Sequence, residues 1–248
     1  MKRLYITLLL TILFSSCLKR NDIKDSSKVV VRNIKNHTAQ IKTNNSADLQ
    51  DDCTIDSLES QTSEYDGIKF YTENKLRGEG VLSISINQKV EILNLDKTVF
   101  GNISLIENDD ETLYKIDLPK KTIVRQIIPD IEIQVFSFDA EFPETDKDFV
   151  IVYVNREKKL INKKNIKYTF MLWEKYIKSS FIELTPNVEN ISIEEKNYWY
   201  QALQIKGDSM KIKSIKTSCE YVENYKDFTT WIKWKKGSCM LIKFNFCY

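Results

Sequence analysis

From Gly67 onward the chain is broken into apolar runs of only four to eight residues, and this short rhythm is what most restricts its fold. Ile68 to Tyr71, Val81 to Ile86, Val90 to Leu93, Leu113 to Leu118 and Ile123 to Ile128 are rich in β-branched and aromatic side chains. Many of them alternate with polar residues, which is the period of a strand with one buried face. Asn74 to Gly80, Asn87-Gln88, Glu107 to Asp110 and Pro119-Lys120-Lys121 separate the runs. No long helical pattern intervenes, so residues 63–128 are expected to form a small antiparallel barrel or sandwich. A second module, 129–248, is expected to carry strands at Ile131 to Phe138, Phe149 to Val154, Phe181 to Leu184, Tyr198 to Ile205, Met210 to Ile215, Thr229 to Trp234 and Met240 to Phe246. One helix is predicted there, around Met171 to Ser179, with Trp173, Tyr176, Ile177 and Phe181 on one side as core residues.

The amino terminus has a different character. Lys2 and Arg3 precede an apolar run of 11 residues, Leu4 to Phe14. A membrane-spanning helix needs about 20 such residues, so the run suits the core of an export signal. Phe14-Ser15-Ser16-Cys17 follows and resembles the lipobox of bacterial lipoproteins, in which the cysteine is acylated and the preceding 16 residues are removed. Phe14 stands where leucine is usual and Ser16 where glycine or alanine is commoner. Each buried methylene of an acyl chain contributes about 0.8 kcal/mol, so two or three chains anchor stably. Residues 17–62 are then read as a tether. The stretch 18–50 has seven basic side chains against three acidic ones, and 51–66 has six acidic ones and no base. Segments this polar bury too little surface to offset the entropy of ordering them.

Several chemistries are disfavoured by residue counts. His37, inside the tether, is the only histidine, so an imidazole-based nucleophile site or a multi-histidine metal site has nothing to build on. Six glycines in 248 residues leave little room for a phosphate-binding loop. No CxxC spacing exists. No cofactor and no metal is expected. Removing residues 1–16 takes Lys2 and Arg3 from the 37 basic side chains and leaves them equal in number to the 35 acidic ones. A nucleic-acid partner, which calls for a basic excess, is therefore not expected.

Two stretches resemble bacterial SH3-like domains, of the tandem kind found in lipoproteins of Bacteroidetes. Asp66 to Glu73, Val81 to Ile84, Gln88-Lys89-Val90-Glu91-Ile92-Leu93 and Leu113-Tyr114-Lys115-Ile116 follow the order of that family's strands. The glycine that usually precedes the lysine of its central turn is absent, and no closing "g-w-v" follows Leu118. Tyr200 to Lys213 and Thr229 to Gly237 resemble the family's later strands, with Ser209 and Thr230 in place of a tryptophan and a glycine. The resemblance implies a mainly β chain of two small SH3-like antiparallel barrels or sheets, with one short helix in the second. It also implies that the loop through Gly78-Glu79-Gly80 borders a ligand groove, so that Tyr71, Glu73 and Arg77 line a binding site.

Trp231 is the other candidate contact residue. In its strand Trp231 and Lys233 share one face while Ile232 and Trp234 share the other. Lysine belongs in solvent, so Trp234 is expected inside and Trp231 outside, free to stack on a sugar or a peptide. The clusters Lys120-Lys121 with Arg125, and Lys158-Lys159 with Lys163-Lys164, are read as solvated loops. The paired acids Asp109-Asp110 and Glu194-Glu195 are adjacent and point apart. With Cys17 acylated, Cys53, Cys219, Cys239 and Cys247 remain in an oxidising compartment and allow three complete pairings. Cys53–Cys247 and Cys219–Cys239 are favoured. The functional expectation is a lipid-anchored binding protein of the cell envelope, without catalysis, at the periplasmic face or the outer-membrane surface. Its partners would be the membrane through the anchor and a peptidoglycan peptide or an envelope protein. The alternatives are a carboxylate-dependent cell-wall hydrolase and an inhibitor or immunity-type lipoprotein.

Overall fold

Alternation accounts for most of the strands, and paired backbones account for those it does not explain. The computed structural model describes residues 59–108, 111–216, 225–237 and 239–246, all within one compact unit. In chain order the first strands are β1 (Ser60–Tyr65), β2 (Ile68–Thr72), β3 (Gly80–Ser85), β4 (Val90–Leu93), β5 (Val99–Glu107), β6 (Thr112–Asp117), β7 (Lys121–Ile123) and β8 (Gln126–Ile128). Then come β9 (Val135–Ala140), β10 (Phe149–Val154), β11 (Glu157–Asn162), β12 (Lys167–Leu172), helix α1 (Trp173–Ser179) and β13 (Phe181–Leu184). A second, one-turn helix, α2 (Ile193–Lys196), precedes β14 (Trp199–Lys206), β15 (Ser209–Ile215), β16 (Thr229–Lys233), β17 (Lys235–Lys236), β18 (Cys239–Met240) and β19 (Ile242–Asn245).

The protein is mainly β, as expected, but its sheets are not two closed barrels. One sheet of nine strands runs β12-β3-β9-β10-β11-β4-β5-β6, with β8 beside β9. It therefore joins strands from both sides of the boundary placed after residue 128. Val81 of β3 pairs with Asp139 of β9 and with Met171 of β12, and Ile92 of β4 pairs with Ile161 of β11. Strand partners are chosen by long-range packing, which local alternation does not encode. A five-stranded antiparallel sheet, β16-β15-β14-β13-β19, comes from the last third of the described chain. In a third sheet β2 lies between β1 and β7, antiparallel to the first and parallel to the second.

Strand β1 also corrects the extent of the tether. Ser60 and Gln61 pair with β2, and Glu59 forms ion pairs with Lys121 and Arg156. Only Tyr65 of this polar strand packs against the core; its hydroxyl donates to the Tyr114 carbonyl at 2.8 Å.

Each large sheet has its own core. Leu82, Ile92, Ile103, Tyr114, Phe136, Phe138 and Val152 fill the first. Ile182, Tyr200, Met210, Ile212, Ile232 and Trp234 fill the second, closed from one side by Ile177 of α1. The Trp234 indole donates to the Gly207 carbonyl at 3.0 Å. Gly78 and Gly80 are not an ordinary turn. Gly78 has φ +60°, and a Cβ there would overlap the Ala140 carbonyl; one at Gly80 would overlap that of Met171. These two glycines let the loop after β2 lie directly on β9 and β12. Helix α2 is held by a capping box, in which Ser192 and Glu195 bond each other's backbone N–H. Among the described residues no helix is long and apolar enough to cross a membrane.

Candidate ligand cleft

The apolar run Ile123 to Ile128 contains one charge, Arg125, and the chain bends there between β7 and β8. A buried guanidinium needs an acceptor for each of its donors and a counter-charge. Asp139 on β9 supplies the charge: Nε and Nη2 of Arg125 reach its two carboxylate oxygens at 2.7 and 2.9 Å. Nη2 also donates to the Lys75 carbonyl at 2.9 Å, and the guanidinium lies 5.0 Å from the Trp173 ring centre. Both side chains are under 8% exposed. Burial works against the Arg125 charge, but the Asp139 carboxylate outweighs it and holds the arginine above its ordinary range. Burial in turn pushes the Asp139 carboxyl up, against the pull of Arg125.

A second layer of charge joins this pair. The Arg77 backbone N–H donates to Asp139 at 3.1 Å. Arg77 Nε donates to Glu73 at 2.5 Å, and Arg156 Nε reaches the other Glu73 oxygen at 3.1 Å. Arg156 continues to Glu59, which also meets Lys121. Burial, reinforced by the positive charges of Arg77 and Arg156, draws the Lys75 ammonium below the ordinary lysine range.

Above this network lies a cleft of about 380 Å³. One wall is β1 and the end of β2, through Gln61 and Glu73; the floor is Arg125; the other wall is β13, β19 and the turn after β13, through Glu183, Asn187 and Asn245. The lining is mostly amides and hydroxyls. Its two carboxylates are both engaged: Glu73 by two arginines, and Glu183 by Lys243 and Asn245 at 3.2 Å each. Among the described residues no cluster of three His, Cys, Asp or Glu side chains is arranged to hold a metal ion.

The sequence-derived candidates separate in space. Glu73 lines the cleft. Arg77 turns away from it into a small recess with Asp139, Tyr153 and Arg156. Tyr71 stands half-buried beside Lys121, whose ammonium is 5.1 Å from its ring centre. Trp231 lies on β16, the edge strand farthest from β19, so at least three strand spacings of about 4.8 Å separate it from the cleft wall.

Each basic cluster read as a solvated loop keeps exposed lysines, Lys120 and Lys121 in one and Lys158 and Lys164 in the other, but contains one buried cation. Arg125 is buried, and Lys159 of β11 is 4% exposed, donating to Asn94 and Glu157 and lying 4.3 Å from the Phe100 ring centre. A single charge within an apolar run was the signal for Arg125. Asp139 carried the same signal in Val135 to Ala140. The cleft's amides carried none. Cys239 is buried and takes part in a disulfide; its partner lies outside the described residues, as do Cys17, Cys53, Cys219, Cys247 and the acid pair Asp109-Asp110. Comparison with protein-family models, with curated proteins and with solved structures finds no match to this chain.

Proposed function

We propose that this protein is a non-catalytic binding protein of the cell envelope, anchored through acylated Cys17, that holds a cell-wall peptide or an extended segment of an envelope protein in the cleft. The observation that carries this reading is the cleft's lining: amide and hydroxyl groups on two opposed sheet edges, set over a rigid ion-pair floor. An extended peptide offers alternating N–H and C=O groups, which such a lining can match on both sides. The resemblance of β2, β3, β4 and β6 to SH3-like strands supports the same reading, because it implies a ligand groove beside the loop after β2. The favoured bridges, Cys219–Cys239 and Cys53–Cys247, belong to this proposal.

Two carboxylates facing one cleft also suit a hydrolase. Against that reading, Glu73 and Glu183 each accept from two donors, cations among them, which ties both side chains into the cleft walls. The test is titration calorimetry of the intact protein with peptidoglycan stem peptides, followed by mass spectrometry of the recovered peptides. Binding without cleavage is expected. Gln61→Ala and Asn187→Ala, on opposite walls, should each weaken it by about 0.5–1.5 kcal/mol, the net value of a hydrogen bond. Peptides cut in the presence of the protein but left intact by Glu183→Gln would replace this reading with the hydrolase, and no binding at millimolar peptide would reject the cleft.

A further inference from the structure

The outer face of the five-stranded sheet has no part in the reading above. Strands β14, β15 and β16 contain four lysines, Lys206, Lys211, Lys213 and Lys233, and no acid. Tyr200, Met210, Ile212 and Ile232 of the same strands are buried in the second core. Alternation therefore turns Lys211, Lys213, Lys233 and Trp231 outward together. The register sets Lys211 beside Trp231, and Ser209 between Lys206 and Lys233. Leu203 faces the same side by alternation from the buried Ala202, and the bulge between Ala202 and Gln204 turns Lys206 to that side as well. Leu203 is 45% exposed and Trp231 42%. Among the described residues only Lys213 of these lysines has an acidic partner, Asp227 at 3.6 Å.

We propose that this face docks on an anionic lipid bilayer. Three adjacent strands span about 10 Å, about one Debye length at 0.1 M salt, so the lysines act on one patch of headgroups. Each lysine close to an anionic leaflet adds about a fivefold gain in partitioning, equivalent to about 1 kcal/mol. Trp231 and Leu203 stand among the lysines as apolar side chains, and tryptophan favours the depth of the headgroups. Charge complementarity alone would also admit an anionic glycan. The Lys206 ammonium, however, lies 5.5 Å from the Trp231 ring centre, over the face on which a sugar would stack. At a bilayer that ammonium swings up to the phosphates while the indole enters the interface. The inference depends neither on the cleft nor on acylation of Cys17.

The intact chain is added to preformed vesicles of brominated phosphatidylcholine, with or without about one third phosphatidylglycerol, and tryptophan quenching is recorded for the protein and for Trp231→Phe. An anchor alone brings the chain to both vesicle types without placing Trp231 among the lipids. The expected result is quenching that depends on Trp231, appears only with phosphatidylglycerol and is lost in 0.5 M salt. Lys206→Gln/Lys211→Gln/Lys233→Gln should weaken this partitioning roughly a hundredfold with an unchanged thermal melt, from three lysines at about 1 kcal/mol each. Equal quenching in neutral vesicles, or none that depends on Trp231, would overturn the proposal. So would a Trp231 response to dextran sulfate in the absence of any response to vesicles.

Discussion

Replacing Arg125 with methionine keeps most of the buried stem and removes the charge that faces Asp139. The carboxylate then sits under 8% exposed with one backbone donor, Arg77 N–H, and no counter-ion in contact. Breaking a buried pair from one side costs about 3–5 kcal/mol. The Lys75 carbonyl loses its donor as well, which places the expected value at the upper end. A folded body of this size loses about 2–4 °C of melting temperature per kcal/mol, so the variant should melt about 6–20 °C lower at pH 7.5 by near-ultraviolet circular dichroism. The pH dependence has a definite sign. Burial already holds the Asp139 carboxyl above its ordinary 3.8, and loss of Arg125 raises it further. A folded value above the unfolded one means that the variant is favoured below 3.8 and loses stability as pH rises through the raised folded value. The gap to the parent protein should therefore narrow on acidification from pH 7.5 to 5. Arg125→Lys keeps the charge without the two-pronged geometry and should fall between the two. A shift under about 2 °C at pH 7.5, or a gap that widens with acid, would refute the reasoning.

Trp234→Ala should lower stability by about 3–5 kcal/mol in urea unfolding, because the indole is 3% exposed, whereas Trp231→Ala should stay within about 0.5 kcal/mol. Gly78→Ala and Gly207→Ala both meet positive φ, +60° and +55°, but only Gly78 also faces a carbonyl. The first should therefore cost about 1–3 kcal/mol more than the second, whose penalty is the backbone's own, about 1 kcal/mol. Glu141 accepts from the Tyr153 hydroxyl at 2.6 Å and from Lys158 at 2.9 Å, which draw its carboxyl below the ordinary 4.5. Its contribution is present above 4.5 and is lost as pH falls through the lowered folded value, so Glu141→Gln should flatten the urea midpoint between pH 6 and 3.

Where a strand alternates visibly, the sequence displays it. The runs behind β2, β3, β4, β6, β10 and β13 to β16 sit within two residues of the observed strands, and the opposite facings of Trp231 and Trp234 follow from period two alone. Strand β5 was hidden by Gly101-Asn102, which looks like a break. In the fold a Cβ at Gly101 would overlap the Asp117 carbonyl of β6, so the glycine is what allows the pairing. Strand β11 was hidden by Lys158-Lys159, because a lysine buried with its ammonium over the Phe100 ring looks the same in sequence as one in water. Strand β1 is polar along its length and is held by pairing with β2. The cleft was legible only at Glu73, since its amides and hydroxyls have no spacing of their own and are assembled by sheet order.

The meeting of Asn74-Lys75 with Cys239-Met240 has a consequence for synthesis. Lys75 bridges to Cys239, and the Met240 N–H donates to the Asn74 carbonyl at 2.7 Å. All nine strands of the large sheet lie before Trp173, so that sheet has its full set of partners while the rest of the chain is still being made. The second core does not. Ile182 and Leu184 on β13 wait for β19, and the loop after β2 waits for the residues next to it, the last described segment to leave the ribosome. Contacts this distant in sequence close slowly. A nascent chain stalled between β13 and β19 would therefore display a finished sheet beside a bare strand edge, the state most open to aggregation and most in need of a holding chaperone.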